Sequence, residues 1–248
     1  MKSTVSALTF IALLTLGLAG CASPVGTATP SLSPAEAAVE NLHWFGFNAA
    51  VLYHGSQNIY FDPVQLSGEP PPADLILITH SHAQAWSPED LKQIIVPDTT
   101  VIISPNVTVL YDQYQDEFGV PAIVLAAGES TEVNGVRVEA TPVLESPTHL
   151  AAAGIVGYLV TVDGIRIYDA AETVHFPEMA AYQADVALYS VFPELGDEEI
   201  EAVLSLLQAQ AVIFLRVPLS VVQIYVDRYG QQDLPMQFVI PATGPYNP

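Results

Sequence analysis

Two histidines stand two residues apart where an apolar run ends, in Asp74-Leu-Ile-Leu-Ile-Thr-His80-Ser-His82-Ala-Gln84-Ala85-Trp86. Imidazole is a common ligand for zinc and iron, so this spacing is half of a metal site. Successive side chains of a strand point to opposite faces, so both rings reach one ion only from a turn. The flanks supply that turn. Residues 74–79 read as a short buried strand. Ser87-Pro88-Glu89-Asp90 reads as a helix start, with a capping serine, proline at the first position and acids in the first turn. His80 and His82 thus fall between the end of a strand and a helix, where α/β folds collect ligands.

The same stretch resembles the metallo-β-lactamase superfamily, whose strand-end motif is H-x-H-x-D-H, and in particular its ascorbate-6-phosphate lactonase-like branch. His80 and His82 take the first two histidine places. Gln84 and Ala85 stand where that motif has Asp and the third His. Further likeness lies in Trp44-Phe-Gly46-Phe, the Asp62-Pro63 turn, Gly128-Glu129, Gly157-Tyr-Leu-Val and Asp163-Gly-Ile-Arg-Ile-Tyr168, in the family's order over about residues 42–240. Taken alone, Asp62 before Pro63 reads as a turn organiser.

The resemblance implies further site residues. His149, in Ser-Pro-Thr-His149, matches the third ligand of the first metal. Glu172, in Asp169-Ala-Ala-Glu172-Thr173, matches the bridging aspartate. Arg216, ending Val212-Ile-Phe-Leu, stands where a final histidine is expected. Arginine binds no metal, so one site stays complete with His80, His82 and His149 while the second keeps only Glu172.

Three neutral histidines with an open fourth position form a catalytic arrangement for zinc, or for iron or manganese, able to lower the pKa of bound water to about 7. The expected activity is that of a mononuclear hydrolase of small esters, lactones or amides, with Glu172 orienting or deprotonating the nucleophile. Arg216 then replaces a missing cation, pairing with Glu172 or gripping an anionic group of the substrate. A non-catalytic ligand-binding protein on the same scaffold, needing no metal, is the alternative. His175 becomes a substitute ligand if its segment is helical.

The chain opens with Lys2, an apolar run from about residue 5 to 18, and Leu18-Ala-Gly-Cys21, which resembles the signal peptide of bacterial lipoprotein precursors. Cleavage there leaves Cys21 as a lipidated N-terminus and places the protein outside the cytoplasm, on the cell membrane or outer membrane. It is the only cysteine, so no intrachain disulfide forms. Residues 1–20 are read as the signal, 21–39 as the lipidated cysteine and a flexible Ala/Ser/Thr/Pro-rich tether, and 40–248 as one domain.

Charge narrows the partners. Six basic residues face 27 acidic ones, for a net −21, and loss of Lys2 with the signal leaves five against 27, or −22. So acidic a body repels phosphate backbones, which disfavours nucleic acid and leaves a small-molecule ligand. Strands are expected at 43–53, 58–62, 74–79, 101–103, 123–125, 131–141, 157–162, 166–169, 185–189, 212–214 and 237–240, with helices at 88–95, 106–117 and 197–208. Periodicity gives mixed α/β; the resemblance makes it a single-domain αββα sandwich, two sheets face to face with helices outside.

Overall fold

The structure, a computed structural model, describes residues 32–144, 154–192 and 194–244. His149 and Cys21 lie outside them. In chain order the elements begin with α1 (Pro34–Glu40), β1 (Leu42–Gly46), β2 (Ala49–His54), β3 (Gln57–Phe61), β4 (Leu75–Ile78), α2 (Pro88–Ile94), β5 (Thr100–Ile103), α3 (Thr108–Phe118) and β6 (Ala122–Val124). Then follow β7 (Ser130–Val133), β8 (Val136–Pro142), β9 (Val156–Val162), β10 (Ile165–Asp169), β11 (Gln183–Ser190), α4 (Asp197–Leu206), β12 (Gln208–Leu215), α5 (Leu219–Tyr229), β13 (Gln237–Phe238) and β14 (Ala242–Thr243).

Alternation along the strands builds the layers. In β3 and β4, Ile59, Phe61, Leu75 and Leu77 face a core shared with Val138, Val160, Ile167 and Leu188 of the second sheet. Their neighbours Tyr60, Ile76 and Ile78 face outward onto Leu91 and Ile94 of α2 and Tyr111 and Phe118 of α3. Helix α4 buries Ile200, Val203 and Leu204, the apolar stripe expected from its spacing. The sheets run in the orders β14-β1-β2-β3-β4-β5-β6 and β13-β12-β11-β10-β9-β8-β7. Two packed sheets with helices outside give the expected αββα architecture.

Parallel pairing aligns the ends that matter. β3, β4 and β5 are mutually parallel, as are β10, β11 and β12. Their carboxyl ends deliver Asp62, Thr79-His80, Glu172 and Arg216 to one rim, the region where open α/β sheets bind ligands. Tyr158 of β9 ties the two sheets there by donating its hydroxyl to Ile78 O at 3.0 Å.

Four expectations are corrected. The run 131–141 is a hairpin, β7 and β8 paired antiparallel across a turn at Asn134 and Gly135, φ +49° and +81°. The run 43–53 is two strands, because Gly46 and Phe47 turn the chain through positive φ, +115° and +48°. Residues 34–39, read as the end of the tether, belong to α1: Ser33 and Glu36 close a capping box and Ala38 is wholly buried in the core. Helix α5 replaces a segment for which the sequence predicts no element, since Val221, Val222, Ile224 and Val226 make it β-branched; packing of Val222 and Tyr229 into the core outweighs that weak propensity.

Gly157 shows how closely the sheet packs beneath the site. A Cβ there would lie 2.6 Å from Asp169 O and 2.7 Å from Thr141 Oγ1. Gly157→Ala is therefore expected to cost about 1–3 kcal/mol through overpacking, read as a lower urea midpoint with an unchanged slope.

Candidate metal centre

His80 lies two residues beyond the end of β4 and is wholly buried, and His82 is about one third exposed, with its ring edge-on to that of His80. The segment turns back at once, for Ala85 N and Trp86 N both donate to His82 O, at 2.9 and 2.8 Å. Trp86 then anchors it among Tyr111, Tyr114 and Phe118. Such a turn meets the requirement that two alternate residues face one point.

Glu172 arrives from the opposite sheet. Beyond β10, Ala171 adopts φ +52° and Asp169 Oδ1 accepts its N–H at 2.9 Å, a tight turn that swings the next side chain inward. Glu172 is buried, with Oε1 3.1 Å from His80 Nε2 and Oε2 3.9 Å from His82 Nδ1. One ligand atom from each of His80, His82 and Glu172 lies within 4.8 Å of the others. His175, by contrast, sits in a non-helical segment and pairs with Glu199 at 2.8 Å, so it is no substitute ligand.

Arg216 closes the far side. Its Nη1 stands 2.8 Å from Glu172 Oε2, and its guanidinium lies 5.1 Å over the Phe192 ring. The backbone is held by a bond from Arg216 N to Phe47 O at 2.8 Å, and the same carbonyl accepts Trp44 Nε1–H at 2.8 Å. Asn48 Oδ1, one residue on, takes the Ser190 hydroxyl at 2.9 Å, fastening the hairpin tip to the end of β11.

Beneath the histidines runs a relay that sequence reasoning missed. Thr79 donates its N–H to Asp62 Oδ1 at 2.8 Å and its hydroxyl to Asp62 Oδ2 at 2.6 Å. The hydroxyl has one proton, so its 2.8 Å contact with His80 Nδ1 requires that nitrogen to be the donor. In the neutral ring Nε2 is then the acceptor. That atom is buried and makes no hydrogen bond, although Glu172 Oε1 is 3.1 Å away. Two acceptors facing each other in a dry site fit a cation between them. Asp62 sits at φ +43°, so it does organise a turn, and it also orients a ligand.

Asp169 completes this lower layer. Burial, then the neighbouring Asp169 charge, pushes the Asp62 carboxyl well above the usual carboxylate range; burial alone pushes Asp169 up to about 7. The pair keeps a proton near neutrality. Both Asp62 oxygens accept from Thr79, and Asp169 Oδ1 accepts from Ala171.

Comparison with known proteins agrees with this geometry. A family model described as a beta-lactamase superfamily domain matches residues 41–215. The chain is 31% identical over 162 residues to a UPF0173 metal-dependent hydrolase of Methanosphaerula palustris, covering 60% of this chain and 70% of that one. It is 29% identical over 189 residues to a UPF0173 metal-dependent hydrolase of Methanoregula boonei, covering 70% and 80%. Among solved structures, a candidate metal-dependent hydrolase of Parabacteroides distasonis superposes with a TM-score of 0.67 at 21% identity, over 81% of this chain and 91% of that one. Igni18, a metallo hydrolase of Ignicoccus hospitalis, gives 0.62 at 19% identity, over 82% and 95%. These two likenesses bear on the fold alone.

Proposed function

Since this chain belongs to the beta-lactamase superfamily and is a metal-dependent hydrolase-like protein of metallo-β-lactamase fold, we propose that it is a mononuclear metal-dependent hydrolase of small esters, lactones or amides. One observation carries the reading: His80 Nε2, buried and without a hydrogen bond, stands 3.1 Å from Glu172 Oε1, a pair of ligand atoms aimed at one point. His80, His82 and Glu172 are residues able to hold a divalent ion, and His149 is proposed to join them. Zinc suits imidazole-rich ligation, with iron or manganese as the other candidates.

When bound, a divalent ion supplies Lewis-acid polarisation of a carbonyl and a nucleophile usable near neutral pH. The chain's own residues do the rest. His80 is held in one tautomer by Thr79, so its Nε2 needs no proton loss to act as a ligand. His82 is on the solvent side, which makes its edge the side of substrate entry. We propose that Glu172 orients or deprotonates the attacking water and that Arg216, paired with Glu172, offers its remaining donors to an anionic group of the substrate.

One observation favours a non-catalytic binding protein instead: Arg216 Nη1 already lies 2.8 Å from the carboxylate that would act on water. We further propose that a lipid on Cys21 anchors the protein outside the cytoplasm, where the 27 acidic residues, against five basic ones once Lys2 leaves with the signal, disfavour nucleic acid as a partner.

Elemental analysis of the full-length protein, purified without chelator beside a His80→Ala/His82→Ala variant, tests the reading. About one zinc, iron or manganese per wild-type chain, absent from the variant, is the expected result. Equal and negligible metal in both proteins, even after zinc is added back, rejects the hydrolase and leaves the binding protein.

A further inference from the structure

A buried carboxylate needs positive charge beside it, and Glu172 has a permanent one. Glu172 is 1% exposed and the Arg216 side chain 10%. The guanidinium is fixed by construction. Arg216 takes φ +73° and Phe47 φ +48°, both in the left-handed region that side chains disfavour, and the two residues are joined by the Arg216 N to Phe47 O hydrogen bond. Phe192 covers the guanidinium. In a chain with only six lysines and arginines, Lys92, Arg137 and Arg228 pair with carboxylates at the surface, while this one is spent inside.

Glu172 therefore has a guanidinium against Oε2 and a buried imidazole against Oε1. We infer that Arg216 is a resident cation of this centre: it neutralises Glu172 when no metal is bound, and its place at Oε2 confines the site to one divalent ion on the imidazole side. The first half stands on the ion pair alone, and the second rests on the proposed metal site. A thermodynamic consequence follows. The charge that stabilises the metal-free fold also repels an incoming cation, so whatever Arg216 adds to folding it subtracts from metal affinity.

The test is a double-mutant cycle on the full-length protein, with Arg216→Met, Glu172→Gln and the pair, melted in chelator and again with one equivalent of zinc. In chelator each single variant is expected to lose about 10 °C of Tm, because a buried charge loses its permanent counter-charge, and the double variant to recover more than half of the summed loss. With zinc, R216M is expected to melt close to wild type and, by calorimetric titration, to bind the ion about tenfold more tightly or better.

Additive losses in chelator overturn the resident-cation role, and two zinc ions per wild-type chain overturn the confinement. Wild type that binds no zinc sinks the metal reading, while the cycle in chelator still decides the role of Arg216. Should R216M fold only with zinc, the inference holds. Should R216M fold in neither condition, a folded double variant supports the inference and an unfolded one overturns it.

Discussion

Asp169→Asn is expected to flatten the dependence of folding stability on pH. The Asp169 carboxyl rises from an ordinary 3.8 to about 7 in the folded protein, because burial penalises its charged form. Between those values the folded chain binds more protons than the unfolded one. Stability from this group is therefore fully present below about pH 4 and is lost as pH rises through 7.

Asp62 is raised in the same direction, again by burial first, and the two charges act on each other, so the loss belongs to the pair. An asparagine at 169 keeps the shape, removes one titrating group and relieves Asp62 of a negative neighbour. Urea midpoints of chelated wild type at pH 5, 6, 7 and 8 are expected to fall steadily, and those of the variant to fall much less. Equal slopes in the two proteins would refute a shared buried proton.

The parts of this centre differ in how legible they are in the sequence. His80 and His82 stand out because a strand that runs into H-x-H has few other uses for that spacing. Glu172 and Arg216 are legible only through the order of the surrounding strands; nothing local in Ala-Ala-Glu-Thr or Phe-Leu-Arg-Val marks them. The ion pair joins residues 44 positions apart, brought together by the parallel ends of β10 and β12. That juxtaposition is tertiary, so no periodicity carries it.

Thr79 and Asp62 are legible in type but not in role. An Asp-Pro after a strand is a sound turn signal, and the turn is there, yet the carboxylate also serves the neighbouring strand end across the parallel β3–β4 pair. Two fold-level misses share a cause. The break at Phe47 is set by a carbonyl that must receive Arg216 N and Trp44 Nε1, and α5 by burial against Phe214 and Phe238, both decided by distant chain.

Thr79→Val is expected to weaken zinc binding about 10- to 100-fold without unfolding the protein, the usual range for removing a group that orients a metal-ligating histidine. Valine keeps the volume and the backbone N–H to Asp62 Oδ1 but has no hydroxyl to receive His80 Nδ1–H. The proton can then settle on Nε2, where it faces Glu172 Oε1 at 3.1 Å and replaces the lone pair that a cation needs. Thr79→Ser restores the hydroxyl and is expected to bind within about threefold of wild type. Calorimetric zinc titrations of the three proteins check this. If valine binds as tightly as threonine, His80 is oriented by packing alone, and Asp62 does no more than shape its turn.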